Sequence, residues 1–313
     1  MSSTVPDAVA SEVEAVNGAR PAAAARAPGM WRDLVTLTKP RITASVVLTT
    51  FGGLWLGARH GHLELSAPQI VTTLLGTALV VGGANTLNMY WERDSDRYMA
   101  RTATRPLPAG RMAPGLALAL GLWLSAISLP LLTLAVNTVT GVLAAIALLS
   151  YVLMYTPLKR RSTASLVVGA VPGAIPPLLG WTAATGRIEA PGLILFGIMF
   201  CWQIPHFLAI ATFRKADYAR AGLKVLPNER GDRVTRHHVV RWLAALVLVS
   251  FLLVPYQIGG TPYFVAAAVL GALFFGVGAW GLRATAGVRW ARALFGTSMI
   301  YLLGMFAALV IGA

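Results

Sequence analysis

Four side chains with carboxylate or amide groups recur at the spacing of a helical face near the end of a long apolar run. Asn85, Asn88, Glu92 and Asp96 follow one another at intervals of three or four residues, and residues so spaced lie on one face of a helix. Because like charges on one face repel, two carboxylates there are costly unless a cation is held beside them. Such oxygens suit Mg²⁺, which usually takes one or two carboxylates and leaves its other positions to water and phosphate. The pattern therefore predicts a metal–diphosphate site that serves an apolar substrate.

The composition places this motif in a membrane protein. The chain is 56% hydrophobic and 12% charged, with a mean hydropathy of +0.66, whereas about a quarter of the residues of a soluble domain are charged. Nine apolar stretches lack Asp, Glu, Lys and Arg, and most approach the ~20 residues that span a bilayer. They are 42–58, 67–90, 114–134, 137–157, 164–182, 190–213, 242–259, 262–282 and 293–312. We therefore expect an all-α integral membrane protein, a bundle of about nine transmembrane helices, with a tight hairpin between the third and the fourth.

The distribution of positive charge predicts the orientation of the bundle. The net charge is +14, and of the 26 Lys and Arg residues all but Arg59 and Arg187 fall in the tail and the alternate loops that would lie on one side. Cytoplasmic loops are enriched in Lys and Arg in this way. We expect no nucleic-acid partner, and a multi-pass protein of the bacterial plasma membrane with a cytoplasmic N-terminus and the C-terminus outside.

The N-terminal residues differ in composition from the rest of the chain. Residues 1–30 are rich in Ala, Pro and Ser and are predicted to be a disordered tail, with one transmembrane domain over 31–313. The single cysteine, Cys201, lies in an apolar run and is expected to pack as a small apolar side chain.

A second polar loop follows the sixth apolar stretch. It contains Arg214, Lys215, Asp217 and Arg220, and four predicted helices separate it from the polar loop after Trp91, so both loops face the same side. We expect two four-helix halves plus a last helix, with the two loops capping a membrane chamber on the cytoplasmic side. Taken alone, Asp217 also fits an ordinary solvated charge cluster.

Basic and phenolic groups lie close to both loops. Arg101 and Arg105 follow the acidic motif, and Tyr155 and Lys159 end the fourth apolar stretch. Lys and Arg here could hold diphosphate oxygens, although cytoplasmic loop charge accounts for most of them individually. Asp94 is two residues off the acidic face, and we expect it to pair with a neighbouring arginine.

A histidine lies inside the sixth predicted span. His206 follows Gln203 and Pro205 in the sequence Trp-Gln-Ile-Pro-His-Phe, where the proline invites a kink. A polar side chain within a membrane is a functional candidate, and the alternative is a histidine that is hydrogen-bonded between helices. If the helix continues, His206 and Asp217 lie near one face, ~16 Å apart along the axis.

Jointly, these motifs resemble those of the UbiA-type membrane prenyltransferases, and within them the branch that farnesylates protohaem. The resemblance covers roughly residues 35–312. It rests first on the acidic motif and the Arg-Thr-x-x-Arg-Pro-Leu-Pro that begins at Arg101. The other matching stretches are Leu-Thr-Lys-Pro-Arg at 37–41, Tyr-Thr-Pro-Leu-Lys-Arg at 155–160, the Gly- and Pro-rich 169–181, the histidine motif at 202–207 and Asp-Tyr-Ala-Arg-Ala-Gly at 217–222.

The resemblance implies an activity, a cofactor and partners. Farnesyl would pass from farnesyl diphosphate to a vinyl group of haem B to give haem O, with Mg²⁺ as cofactor in a lipid bilayer, and haem–copper oxidase assembly factors are candidate partners. The implied metal ligands are Asn88, Glu92, Asp96 and Asp217, which with Lys159 and Tyr155 form the catalytic set. The implied substrate-binding residues are Arg101, Arg105, Arg214, Lys215, Gln203 and His206, with His206 the candidate for the haem.

Two other functions stay open from the residues. A quinone-pathway prenyltransferase would use the same acidic face on an aromatic acid, without any need for a mid-membrane imidazole. A transporter would use acidic and histidine side chains as an ion relay, but it would more naturally place its carboxylates at the midplane, and here every Asp and Glu lies outside the predicted spans.

Overall fold

The computed structural model describes residues 29–283 and 285–312, and over these ranges the chain is helical and contains no β-strand. The predicted disordered tail therefore lies outside the described residues except for 29 and 30. The helices are α1 (Met30–Leu37), α2 (Pro40–His60), α3 (Ala67–Asp96), α4 (Pro114–Ala135), α5 (Thr138–Leu158), α6 (Ser165–Thr185), α7 (Ala190–Phe213), α8 (Lys215–Arg220), α9 (Leu226–Glu229), α10 (Gly231–Phe251), α11 (Gly260–Trp280) and α12 (Val288–Gly312).

The long helices confirm an all-α membrane bundle. Among the described residues, eight helices are long and apolar enough to cross a membrane. Helix α2 has 21 residues, the length of a span, but it is not one of the eight, since threonine, glycine and terminal basic residues dilute its apolar character. Helix α10 begins at Gly231, ahead of the apolar stretch 242–259, and its first turns carry polar side chains.

Local sequence signals explain where the helices begin and end. The Ser66 side chain accepts a hydrogen bond from the Gln69 amide (3.3 Å) and so caps α3. The predicted hairpin is confirmed, since α4 ends at Ala135 and Asn137 caps α5 by accepting from the Thr140 amide at 2.9 Å. Such caps satisfy amide groups that a helix leaves without partners at its first turn.

Helices α2 and α6 pack with their backbones in contact. A Cβ atom at Gly53 would lie 1.9 Å from the carbonyl oxygen of Pro177, and a Cβ at Gly180 would lie 1.9 Å from that of Thr50. Only glycine fits at either position. Small residues allow membrane helices to approach closely, and close packing is the main attraction between helices in lipid.

The polar loops meet at one end of the bundle. The Lys224 amide donates to the Lys159 carbonyl at 2.9 Å, and Arg236 donates to the Arg283 carbonyl at 3.1 Å. The Arg101 guanidinium lies 5.8 Å from the centre of the Tyr218 ring. The loops after α3, α5, α7 and α11 therefore share one end, as the charge pattern predicts.

Candidate active site

The acidic motif lies on one buried face at the end of α3. Asn85, Asn88, Glu92 and Asp96 are all buried on this helix, which confirms the helical spacing read from the sequence. Asp94 points elsewhere: its side chain is 66% exposed and pairs with Arg93 at 3.9 Å, whereas the Asp96 side chain is 1% exposed. The face therefore presents two carboxylates and two amides toward the interior.

Three cations lie on this face, each against a different residue. Lys39 Nζ donates to Asn88 Oδ1 at 2.9 Å, and Lys159 Nζ donates to Glu92 Oε1 at 2.9 Å. Arg105 Nη1 donates to Asp96 Oδ2 at 2.7 Å. These cations come from the segment before α2, the end of α5 and the loop after α3. Three basic side chains beside two carboxylates suit an anion, because each of them can donate hydrogen bonds to it.

Lys39 was missed by sequence reasoning as a site residue. It is half-buried and adopts a left-handed backbone conformation (φ 49°, ψ 65°), which is uncommon for a residue other than glycine. Burial, together with the nearby charges of Arg105 and Lys159, lowers the pKa of Lys39 to about 7. The sequence feature that could have identified Lys39 is its place in Leu-Thr-Lys-Pro-Arg, directly before the first long helix.

The amide of Asn88 has a defined orientation. Asn88 Nδ2 donates to Thr156 Oγ1 at 3.1 Å, and that hydroxyl uses its own proton on the Tyr151 carbonyl at 2.8 Å. Since the hydroxyl can then only accept from Asn88, the Asn88 carbonyl oxygen is left facing Lys39. An amide oxygen with this fixed orientation is a suitable ligand for a metal ion such as Mg²⁺.

A π-helical segment in α5 places the phenolic groups. Residues Ser150–Tyr155 form this wider turn, a feature that often occurs at functional sites. The Tyr155 ring lies 4.4 Å from Lys159 Nζ and 5.2 Å from the Tyr151 ring. A Cβ at Gly169 would lie 2.4 Å from the Tyr155 ring, so the ring packs directly on the backbone of α6.

The neighbours of Lys159 favour its protonated form. Burial alone would lower its pKa, but electrostatic interaction with the Tyr155 hydroxyl and with the Glu92 carboxylate outweighs that effect and raises the pKa of Lys159 well above its ordinary value. The Tyr155 and Lys159 predicted from the sequence thus lie together beside Glu92.

The second polar loop approaches the first but does not complete a three-carboxylate site. Asp217 pairs with Arg214 at 3.5 Å and with Arg220. Across the described part of the chain, no three Asp, Glu, His or Cys side chains are grouped so that they could hold a metal ion. The structure therefore does not gather Asp217 with Glu92 and Asp96.

Three of the other predicted substrate contacts have partners of their own. Lys215 Nζ donates to Asp232 at 3.0 Å, and Arg101 lies exposed over the Tyr218 ring. Gln203 Nε2 donates to the carbonyl of Met199 at 3.0 Å and to that of Ala170 at 3.3 Å. Gln203 therefore bridges α6 and α7, while Arg105 is the arginine that reaches the acidic face.

His206 lies in the core, away from the charged cluster. Its Nδ1 is 2.7 Å from Ser298 Oγ on α12. Its ring stacks on Trp202 and lies tilted against Phe295, with a centroid distance of 4.8 Å to each. The assumption of a continuous helix from His206 to Asp217 was wrong, because α7 ends at Phe213 and α8 begins at Lys215. The ~16 Å axial estimate does not apply across that break.

A helical membrane bundle whose polar end gathers basic side chains on an acidic helix face fits the class of membrane prenyltransferases. The chain belongs to the UbiA prenyltransferase family, whose model matches residues 46–309, and the resemblance stated from its motifs is confirmed. It is 58% identical over 279 residues to protoheme IX farnesyltransferase of Sorangium cellulosum, covering 86% of this chain and 100% of that protein. It is 51% identical to the protein of the same name from Myxococcus xanthus, covering 91% and 95%.

Solved structures confirm the fold. A structure reported for digeranylgeranylglyceryl phosphate synthase has a TM-score of 0.76 at 18% identity, over 90% of this chain and 98% of that one. A UbiA homolog from Archaeoglobus fulgidus bound to GPP and Mg²⁺ has a TM-score of 0.59 at 16% identity, over 89% and 99%. The bundle of this chain is therefore the UbiA fold.

Proposed function

We propose that this protein transfers farnesyl from farnesyl diphosphate to a vinyl group of haem B, giving haem O. The observation that carries the proposal is that relatives 58% and 51% identical are named protoheme IX farnesyltransferase, while this chain gathers three basic side chains on an acidic helix face. Neither the transporter nor the quinone-pathway alternative draws support from those relatives. The two carboxylates also lie at one end of the bundle, whereas an ion relay would place them near the membrane midplane.

The acidic face fits Mg²⁺ by the chemistry of its donors. Two carboxylates and one amide oxygen are hard ligands of the number that Mg²⁺ takes from proteins when phosphate supplies the rest, and the Archaeoglobus fulgidus homolog is bound to GPP and Mg²⁺. Asn88, Glu92 and Asp96 would hold the ion. Asp217, set apart from that face, stays a predicted ligand. When bound, Mg²⁺ supplies Lewis-acid stabilisation of the leaving diphosphate.

The side chains of this chain would do the remaining work on the diphosphate. Lys39, Arg105 and Lys159 would bind its oxygens and take up the negative charge that develops as the bond from the allylic carbon to oxygen breaks. The bonding electron pair leaves with the diphosphate. Tyr155, against Lys159, would help to fix the ammonium group. No protein nucleophile is required.

The apolar interior would protect the cation and receive the haem. The vinyl π electrons attack the allylic cation to form the new carbon–carbon bond, and water then adds to the resulting cation and loses a proton to give a hydroxyethylfarnesyl group. Trp202, His206 and Phe295 form an aromatic cluster in the core, where exclusion of water favours attack by the vinyl group. His206 is the proposed haem contact.

The direct test is the pigment profile of membranes that express the chain. We expect reverse-phase chromatography to show a later-eluting haem, with the mass of haem B plus a farnesyl group and a hydroxyl group, in membranes with the wild-type protein and not in those with Asp96→Ala. If the haem is unchanged and the purified protein prenylates an added aromatic acid, then the acceptor is an aromatic acid and not haem.

His206→Ala is expected to weaken haem binding about tenfold, or 1.4 kcal/mol, and to leave binding of a farnesyl diphosphate analogue unchanged. The imidazole lies in the aromatic core and not beside the basic side chains that contact the α3 face. A neutral imidazole also suits haem iron. Haem is titrated by its Soret absorbance and the analogue by calorimetry.

The matched control is His237→Ala, since His237 is exposed and its ring lies 2.8 Å from the Arg233 carbonyl one turn earlier on its own helix. Unchanged haem affinity and Soret position in well-folded His206→Ala protein would remove His206 from the haem site. Equal weakening of both ligands with a lowered melting temperature would make it a helix-packing residue.

We also propose that the end carrying the cation cluster faces the cytoplasm and that Ala313 lies outside. In a protein whose only cysteine, Cys201, is replaced by alanine, a membrane-impermeant maleimide is expected to label His62→Cys in intact cells. Arg230→Cys should be labelled only after permeabilisation, because the Lys and Arg distribution places it inside. The opposite labelling pattern would reverse the orientation.

A further inference from the structure

An acidic residue of α1, outside the α3 motif, is buried. Asp33 is 3% exposed, and its two carboxylate oxygens accept from Arg111, Oδ2 from Nε at 3.1 Å and Oδ1 from Nη2 at 3.0 Å. A buried carboxylate is costly unless it is paired, and a two-point arginine contact fixes both distance and angle. The pair therefore ties α1 to the loop after α3 in a defined orientation.

Arg111 continues this connection toward the site. Its Nη1 donates to the Thr104 carbonyl at 3.1 Å, and the next residue, Arg105, holds Asp96 at 2.7 Å. The Thr102 hydroxyl bonds the Asp96 carbonyl at 2.8 Å. Asp33 thus acts on the backbone that carries Arg105, without touching the α3 face itself.

The same pair also fixes the other side of the cluster. Helix α1 ends at Leu37 and only Thr38 separates it from Lys39, the cation on Asn88. Below the pair, Leu37 packs with Met89, Leu107 and Met112 in one buried cluster. Two of the three cations, Lys39 and Arg105, therefore extend from segments that the Asp33–Arg111 pair joins.

We propose that Asp33 and Arg111 are positioning residues for prenyl diphosphate binding. Their ion pair sets Lys39 and Arg105 at the spacing that the diphosphate requires, and neither residue touches the substrate. The inference rests on the proposed function only in taking the cation cluster as the diphosphate site, and it assigns nothing to the haem side.

The test uses full-length protein in detergent with two ligands. Asp33→Asn and Arg111→Gln are each expected to weaken binding of inorganic pyrophosphate with Mg²⁺ by tenfold or more and to raise the KM for farnesyl diphosphate to match, with haem affinity unchanged. Asp33→Arg combined with Arg111→Asp, which reverses the pair, should recover a large part of both. The matched control is Asp94→Asn, whose side chain is exposed and pairs only with Arg93.

Single variants that fold and keep wild-type pyrophosphate affinity would overturn the proposal. So would parallel losses of haem and pyrophosphate binding with a lowered melting temperature in the single variants and no recovery in the reversed pair. A failure of the proposed function would give a different result, since wild-type protein would then bind pyrophosphate but would not transfer farnesyl to haem.

Discussion

Asp96→Ala is expected to lower farnesyl transfer by about a thousandfold while the protein still inserts in the membrane. The Asp96 side chain is 1% exposed and accepts from Arg105 at 2.7 Å, so the substitution removes a proposed metal ligand and also the group that orients Arg105. Mg²⁺-dependent turnover of farnesyl diphosphate and haem in detergent measures the effect. Glu92→Asp keeps the charge, and its loss should be milder.

Asp94→Ala is the matched control, because Asp94 lies two residues away on the same helix with its side chain 66% exposed. It should keep near-normal turnover. If Asp96→Ala also kept near-normal Mg²⁺-dependent turnover, Asp96 would not belong to the active site.

Lys159→Ala is expected to reduce kcat/KM by about a hundredfold, the effect of losing one charged donor to a developing anion. Lys159 lies between Glu92, at 2.9 Å, and the Tyr155 ring, at 4.4 Å, and the pKa of its ammonium group is raised, so it is charged whenever the diphosphate arrives. Steady-state kinetics against farnesyl diphosphate checks the loss, and Lys159→Arg should restore part of it.

Arg160→Ala provides the comparison, since the adjacent residue is exposed and belongs to the same basic run. A general effect of loop charge on the membrane surface would make the two alanine variants equally slow. If Lys159 binds the diphosphate, Lys159→Ala should be much slower than Arg160→Ala.

The acidic face and the bundle could be predicted because they depend on local periodicity. Asn88, Glu92 and Asp96 share a face by helix geometry alone, and span lengths follow from the thickness of the bilayer. The partners of that face depend on tertiary structure: Lys39 and Lys159 lie 49 and 67 residues from the side chains they contact. Such pairings leave no periodic signal, which is why Lys39 was missed.

Asp217 and the π-helical turn show two other limits of sequence reasoning. A helix from His206 to Asp217 is reasonable by pattern, but Arg214 takes a non-helical conformation (φ −110°, ψ 18°) and interrupts the helix there. The six residues of the π-helical segment, Ser150–Tyr155, read as ordinary apolar helix. In this wider turn the Thr156 hydroxyl donates to the Tyr151 carbonyl five residues before it. Only the packed structure reveals this bond.

The glycine contact between α2 and α6 also determines how a lipid-soluble substrate can reach the interior. At Gly53 and Gly180 the two backbones touch with no side chain between them. Parting these helices would expose bare backbone to hydrocarbon, where nothing could replace the lost packing. We therefore expect the α2–α6 contact to stay closed, and a farnesyl chain or a porphyrin that enters from the bilayer to pass between other helices.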